Sequence, residues 1–113
     1  MNPNDKIRIK AKICMILSEY DKEHHVADIV SGFELDEQEI ALDVMATMYK
    51  QGKLVTTAGV ARFREADRGY LSYQYYLDVL LRRIKAHMTH HNLKYRHGFS
   101  DKVLDMIKGC PDV

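Results

Sequence analysis

The segment that runs from Leu35 to Gly52 constrains the fold more strongly than any other part of this 113-residue chain. Asp36 and Glu39 have the spacing of a capping box, which marks the start of a helix. Leu35 and Ile40 have the spacing of the hydrophobic staple that often accompanies such a cap. Apolar residues then recur at helical intervals until Gly52, a residue typical of helix ends. The pattern therefore predicts a helix with one wide apolar face.

Four further segments have helical periodicity. The first runs from about residue 4 to residue 20, and a short second one covers about residues 24–31 and ends at Gly32. A long helix is predicted over about residues 69–95, where apolar side chains follow one stripe. Ser100 then precedes a last short helix as its cap, and Gly109 ends that helix.

Between the third helix and the long helix the period changes from helical to alternating. Residues 53–57 are rich in β-branched side chains, Ala58-Gly59 resembles a turn, and residues 60–64 alternate apolar with basic side chains. Two short runs around a glycine-containing turn predict a β-hairpin. The expected small core consists of Ile13, Ile16, Leu17, Ile29, Ile40, Val44, Met48, Leu54 and Phe63.

The order of these elements, with the segments His25-Val26-Ala27-Asp28-Ile29-Val30 and Gln51-Gly52-Lys53-Leu54-Val55, resembles the winged helix-turn-helix DNA-binding superfamily. The resemblance covers about residues 5–66. It implies a mainly α fold with a small β-hairpin. The expected organisation is a winged helix-turn-helix domain in residues 1–66, followed by a C-terminal helical extension in residues 67–113 that serves for dimerisation.

The resemblance also implies contacts with duplex DNA, with the third helix in the major groove and the hairpin on the backbone. Candidate base-reading residues are then Gln38, Thr47 and Lys50. The wing would contribute Arg62 and Arg64 to phosphate contacts. Further basic residues that could extend this phosphate-binding surface are Arg68, Arg82, Arg83 and Lys85.

The distribution of charge opposes this interpretation and leaves a second one open. The net charge is only +1, and residues 19–43 contain the acids Glu19, Asp21, Glu23, Asp28, Glu34, Asp36, Glu37, Glu39 and Asp43 against Lys22 alone. An acidic recognition helix would repel DNA phosphates. The alternative is a winged-helix module that binds protein instead of DNA, through its acidic helix pair or its long helix. If the face of Glu37, Glu39 and Asp43 is exposed and unpaired, the alternative is favoured. Neutralisation of that face by Lys50, Lys53 or the lysines of the first helix would preserve the DNA hypothesis.

The long helix is predicted to join two copies of the chain. It would span roughly 40 Å, and its apolar stripe is more than one small domain would leave exposed. The sequence therefore predicts a homodimer, with an interface formed by Tyr73, Leu77, Leu80, Leu81, Ile84 and Met88.

Motifs that would indicate catalysis or a cofactor were not found, so we expect neither an enzyme nor a bound cofactor. His87 and His91 have a spacing that can hold a metal, but no further ligand pattern accompanies them, and no metal is expected. No apolar run reaches membrane-spanning length. With two distant cysteines, and Cys14 expected to be buried, a cytoplasmic location is expected. The sequence thus predicts a dimeric transcriptional or replication-accessory regulator.

Overall fold

A computed structural model describes residues 3–19, 24–54, 72–91 and 98–110, and all the regular structure in these ranges is helical. A short 3-10 turn, Leu35–Glu37, leads directly into the third helix. The α-helices are α1 (Pro3–Glu19), α2 (Val26–Ser31), α3 (Gln38–Lys50), α4 (Tyr73–His91) and α5 (Asp101–Lys108).

The predicted β-hairpin, and with it the winged helix-turn-helix fold class, is wrong for the part of the chain that the structure describes. Lys53 and Leu54, which open the predicted hairpin, form the turn that ends α3. Gly52 has a positive φ of 78°, and the amide of Lys53 donates to the carbonyl of Met48 over 2.8 Å. The amides of Lys53 and Leu54 both donate to the carbonyl of Met48, so they are not free to pair with a second strand. Residues 55–64, the rest of the predicted hairpin, lie outside the described residues.

Helix α3 is the centre of the fold, because α1, α2, α4 and α5 all pack against it. Most of its side chains are buried, and only a narrow strip faces solvent. Buried positions of α3 are Gln38, Ala41, Leu42, Val44, Met45, Ala46, Met48 and Tyr49.

The apolar stripe of α4 is covered within the chain, against α2, α3 and α5. Leu80 and Ile84 are completely buried, Leu77 and Leu81 are almost so, and Tyr73 and Met88 are partly buried against the same core. The reason for expecting a dimer through these six residues is therefore removed, since the stripe already has a partner. The same core also joins residues on both sides of the predicted boundary at residue 66.

Much of the expected core is observed. Ile13, Ile29, Val44, Met48 and Leu54 are buried. Three more expected members, Ile16, Leu17 and Ile40, are partly buried against the core. Phe63 lies outside the described residues.

The start of α3 differs from the expected capping box. Helix α3 begins two residues after Asp36, and its N-cap, Glu37, forms no capping hydrogen bond through its side chain. Leu35 is 56% exposed, so it does not form the expected staple. The 3-10 turn takes the place of the cap, because the amide of Glu37 donates to the carbonyl of Glu34 over 2.9 Å.

The start of α5 confirms its expected cap. The hydroxyl of Ser100 accepts a hydrogen bond from the amide of Val103 over 3.2 Å. Such a bond satisfies one of the amides that a helix start leaves without a partner. Phe99, just before the cap, is buried, and Leu104 is partly buried against the same core.

Of the helices that the structure describes, none is both long enough and apolar enough to cross a membrane.

Candidate functional site

Gln38, the first candidate for base reading, is completely buried and cannot reach a nucleic acid. Its side-chain amide donates to the carbonyl of Gly98 over 2.6 Å and to that of Phe33 over 3.3 Å. Its oxygen accepts from the amide of Ser100 over 2.8 Å. Gln38 therefore connects α3 to the chain before α5, and its side chain has no exposed group for the predicted role in DNA reading.

The other two candidates on α3, Thr47 and Lys50, are exposed. The hydroxyl of Thr47 donates to the carbonyl of Asp43 over 2.9 Å. Together with Glu39 and the half-buried Asp43, these residues form the narrow strip of α3 that solvent can reach. The strip carries both charge signs, whereas a phosphate-binding face is expected to be basic.

The acidic residues of this region are paired with basic side chains. Glu37 forms a hydrogen-bonded ion pair with Arg8, which raises the pKa of that arginine. The ammonium nitrogen of Lys102 lies 3.7 Å from a carboxylate oxygen of Glu39. Because Asp43 is paired as well, Glu37, Glu39 and Asp43 do not form an unpaired acidic face.

Asp43 is the best connected of these acids. Its carboxylate accepts a hydrogen bond from the hydroxyl of Tyr73 over 2.6 Å and lies 3.0 Å from the ammonium of Lys6. Burial raises the pKa of Asp43, but the hydrogen bonds from Tyr73 and Lys6 and the charge of Lys6 outweigh it, so the net pKa is lowered. Burial and the bond to Asp43 raise the pKa of Tyr73. These three residues therefore join α1, α3 and α4.

Three of the basic residues predicted to contact phosphate, Arg82, Arg83 and Lys85, lie in the described part of the chain, all on α4. Arg82 is exposed on α4, but Arg83 is half-buried. The ammonium of Lys85 donates to the carbonyl of Cys110 over 2.9 Å and so ties α4 to the end of α5. Arg62, Arg64 and Arg68 lie outside the described residues.

The histidine pair considered as a metal site has a different arrangement. The ring of His87 stacks on that of His25, with centroids 4.3 Å apart, and the side chain of His91 lies outside the described residues. Within the described ranges, no three histidine, cysteine or acidic side chains are grouped so as to hold a metal ion. The buried thiol of Cys110 has a raised pKa, from burial and then from the charge of Asp78, so it is protonated at neutral pH.

A cleft between α1 and α3, here called the α1–α3 cleft, offers a volume of about 200 Å³. The buried side chains of Val44 and Met48 supply its apolar surface. Polar and charged side chains from both helices surround them. The residues that line the cleft are Lys6, Ile7, Lys10, Asp43, Val44, Thr47, Met48 and Gln51.

Helix α1 carries a second apolar face beside this cleft. Ile7, Ala11, Cys14 and Met15, here called the α1 stripe, are all exposed. Ile7 is 68% and Met15 59% exposed. Residues spaced by three and four positions share one side of a helix, so the four side chains are neighbours. Cys14 was expected to be buried, and this prediction is wrong because the core takes the opposite face of α1.

Basic side chains flank the α1 stripe on both sides. Lys6 and Arg8 are bound to acids of α3 and its preceding turn. The ammonium of Lys12 lies 4.6 Å from the ring centroid of Phe33, a cation–π contact. Lys10, at the rim of the cleft, is exposed and forms no salt bridge with any residue that the structure describes. Lys10 is thus available for an external acid.

Sequence patterns alone did not reveal this site, because α1 carries two sets of apolar residues and only one of them is buried. The buried face contains Ile9 and Ile13, while the residues of the α1 stripe repeat at positions 7, 11, 14 and 15 on the other side. The second set has helical spacing of its own, and that spacing was the signal that could have revealed the site.

Comparisons of the chain with protein-family models, with curated proteins and with solved structures find no match. Evidence for function therefore comes from the surface itself.

Proposed function

We propose that this chain is a helical protein-interaction module that binds a partner protein through the α1 stripe and the α1–α3 cleft. The observation that carries the proposal is the exposure of Ile7 and Met15 on one side of α1, next to a cleft with an apolar floor. Grouped exposed apolar side chains with a polar rim are typical of protein-binding sites.

The concentration of these side chains supports a specific site. The large exposed apolar residues in the described part of the chain are Ile7, Met15 and Leu35, and two of the three belong to the α1 stripe. Scattered single residues would need no explanation, but adjacent ones on one helix face do. The alternative from the sequence placed protein binding on the acidic helix pair or the long helix. Both are less favoured than the α1 stripe, because Glu37, Glu39 and Asp43 are paired and α4 is covered.

DNA binding is the second candidate function, and one observation favours it. The acids Glu37, Glu39 and Asp43 are neutralised, so the repulsion expected from the third helix is reduced. The chain would then contact duplex DNA as a transcriptional or replication-accessory regulator, with exposed cations such as Lys10, Lys50 and Arg82 on phosphates. Loss of Gln38 as a base reader weakens this candidate relative to protein binding.

Two measurements separate the candidates. The first is fluorescence anisotropy of a labelled random-sequence duplex with the full chain, at low and near-physiological salt and neutral pH. Protein binding as the sole function predicts no salt-sensitive association. An affinity that falls steeply with salt would instead establish a phosphate-binding surface and favour the DNA hypothesis.

The second measurement selects binders from a displayed random peptide library on the immobilised full chain. Binding of the selected peptides is expected to be lost in Ile7→Glu and in Met15→Glu, because each change places a charge in the stripe. The matched control is Leu35→Glu, which alters the third large exposed apolar residue and leaves the stripe intact. Peptides that bind all three variants equally would refute the proposed site.

We also propose a cytoplasmic location. Cys14 is a free, exposed thiol and Cys110 a free, buried one, which suits a reducing compartment.

A further inference from the structure

We infer that the α1 stripe and the α1–α3 cleft bind an acidic amphipathic helix of a partner protein, with Lys10 pairing with one of its carboxylates. The inference rests on the proposed function and adds the chemistry of the partner.

The shape of the surface suits a helix. Ile7 and Met15 are eight positions apart, so the stripe extends along α1 for about 12 Å, or about two helical turns. Val44 and Met48 continue the apolar surface from α1 into the cleft. Ile7 belongs to the α1 stripe and also lines the cleft. A partner helix that lies along α1 would insert one apolar side chain into the cleft and rest its next turn on the stripe. This is the helix-in-groove mode of recognition.

The charges beside this surface specify an acidic partner. Lys6, Arg8, Lys10 and Lys12 lie on both flanks of the stripe. The nearby acids Asp5, Glu37 and Asp43 pair with two of these cations, Arg8 and Lys6. Three of these cations have contacts inside the chain, but Lys10 forms no ion pair among the described residues. A carboxylate placed one turn from the apolar side chains of a partner helix would reach Lys10 at the rim of the cleft.

The same charges disfavour a second copy of this chain as the occupant. Pairing the stripes of two copies would bring Lys10 and Lys12 of one α1, which have no acid partner among the described residues, towards those of the other. Like charges across an interface are unfavourable. The stripe is also narrow for a helix that lies on a membrane, because such helices present broad faces rich in Trp, Phe and Leu. A partner helix with carboxylates on both flanks avoids the repulsion between cations, and it needs only a narrow apolar surface.

The test uses a displayed library of helical peptides of about 18 residues, a length that can form a helix when bound. Leucine is fixed along one helical stripe and every other position is randomised. Selection on the full chain is expected to enrich Asp and Glu at the positions that flank the leucines. Recovery of no binders, or of binders with neutral or basic flanks, would overturn the inference.

Anisotropy with the selected peptides then measures the contribution of Lys10. We expect Lys10→Glu to weaken binding about tenfold, because attraction becomes repulsion, and added salt to weaken binding to the wild type. The control Lys108→Glu makes the same charge change at an exposed position of α5 and is expected to change the affinity less than about twofold. An unchanged affinity in Lys10→Glu would overturn the inference.

Failure of the inference and failure of the proposed function give different results. Peptides that lose binding in Ile7→Glu but not in Lys10→Glu leave the interaction site in place and refute only the acidic partner. Peptides that bind Ile7→Glu as well as the wild type refute the site itself.

Two further measurements test the other occupants of the stripe. A dimer in sedimentation velocity that Ile7→Glu converts to monomer would identify a second copy as the occupant. Cosedimentation with phosphatidylserine vesicles that Ile7→Glu abolishes would identify a membrane surface. Either result would overturn the inference, whereas sedimentation unchanged by Ile7→Glu, with no vesicle binding, agrees with it.

Discussion

The side-chain amide of Gln38, at the first position of α3, donates a 2.6 Å hydrogen bond to the backbone carbonyl of Gly98, sixty residues away along the chain. Gln38 is completely buried, and its oxygen accepts from the amide of Ser100 at the start of α5. One side chain therefore satisfies two backbone groups next to the N-terminus of α5. This explains why a polar side chain lies among the otherwise apolar buried side chains of the described residues.

We predict that Gln38→Leu destabilises the fold by about 1–3 kcal/mol, because the change leaves buried backbone groups without their partner while roughly preserving volume. Urea denaturation followed by circular dichroism measures the loss. The control is Gln51→Leu at the exposed end of the same helix, which is expected to change stability by less than about 0.5 kcal/mol. A stable Gln38→Leu variant that has lost duplex binding would restore the discarded role in base reading.

Gly98 is predicted to resist even a single added methyl group. A Cβ at this position would lie 3.0 Å from the Cβ of Ser31, an atom that cannot move without the backbone of α2. Gly98→Ala is therefore expected to cost about 1–3 kcal/mol in the free energy of unfolding, as other overpacked sites do. Gly109→Ala is the matched control, since its nearest neighbour would lie at an ordinary 3.5 Å. Equal stabilities of the two variants would contradict this prediction.

Local signals in the sequence located the helices and several of their ends. Gly52 marks the end of α3 because only a positive φ closes that turn comfortably, and Ser100 caps α5 because its hydroxyl meets an amide three residues away. Both signals depend on neighbours within a few residues. Capping failed at Asp36, where a 3-10 turn with the same short range competes with the cap.

The sequence alone could not reveal roles that depend on contacts between residues far apart along the chain. Gln38 has the position of a DNA-reading residue in the third helix, and only the approach of Gly98 makes it a buried connector. The stripe of α4 was recognised, but periodicity does not tell whether another helix or another copy covers it. For the same reason the exposure of Ile7 and Met15, and with it the candidate site, required the packed structure.

The burial of Leu80 gives a direct test of the predicted dimer interface. Leu80 is completely buried against the chain's own core, so Leu80→Glu places a charge where no water can reach it. We expect a loss of at least about 3 kcal/mol and a largely unfolded chain by far-UV circular dichroism. Arg82→Glu, at an exposed position of the same helix, is expected to remain folded. If Leu80→Glu instead turned a folded dimer into a folded monomer, the interface prediction would be right.

The contact between Tyr73 and Asp43 predicts how stability depends on pH. The pKa of Asp43 is lowered in the folded chain, so its contribution to stability is present above the ordinary pKa of an aspartate and is lost as the pH falls through the lowered value. Tyr73→Phe removes one hydrogen bond to the carboxylate and is expected to cost about 1 kcal/mol at pH 7. The contact is partly exposed, so we expect a cost below the range of about 1.5–3 kcal/mol that is typical of hydrogen bonds to charged groups.

The difference between the wild type and Tyr73→Phe should begin to shrink as the pH falls from about 5 through the ordinary pKa of an aspartate, about 4, and should disappear below the lowered pKa of Asp43. Urea denaturation across this range measures the difference directly. Asp43→Asn is the companion variant, because it removes the charge and should make stability less sensitive to pH in the same interval. A difference between wild type and Tyr73→Phe that stays constant down to pH 3 would show that the hydroxyl does not stabilise the charged form of Asp43.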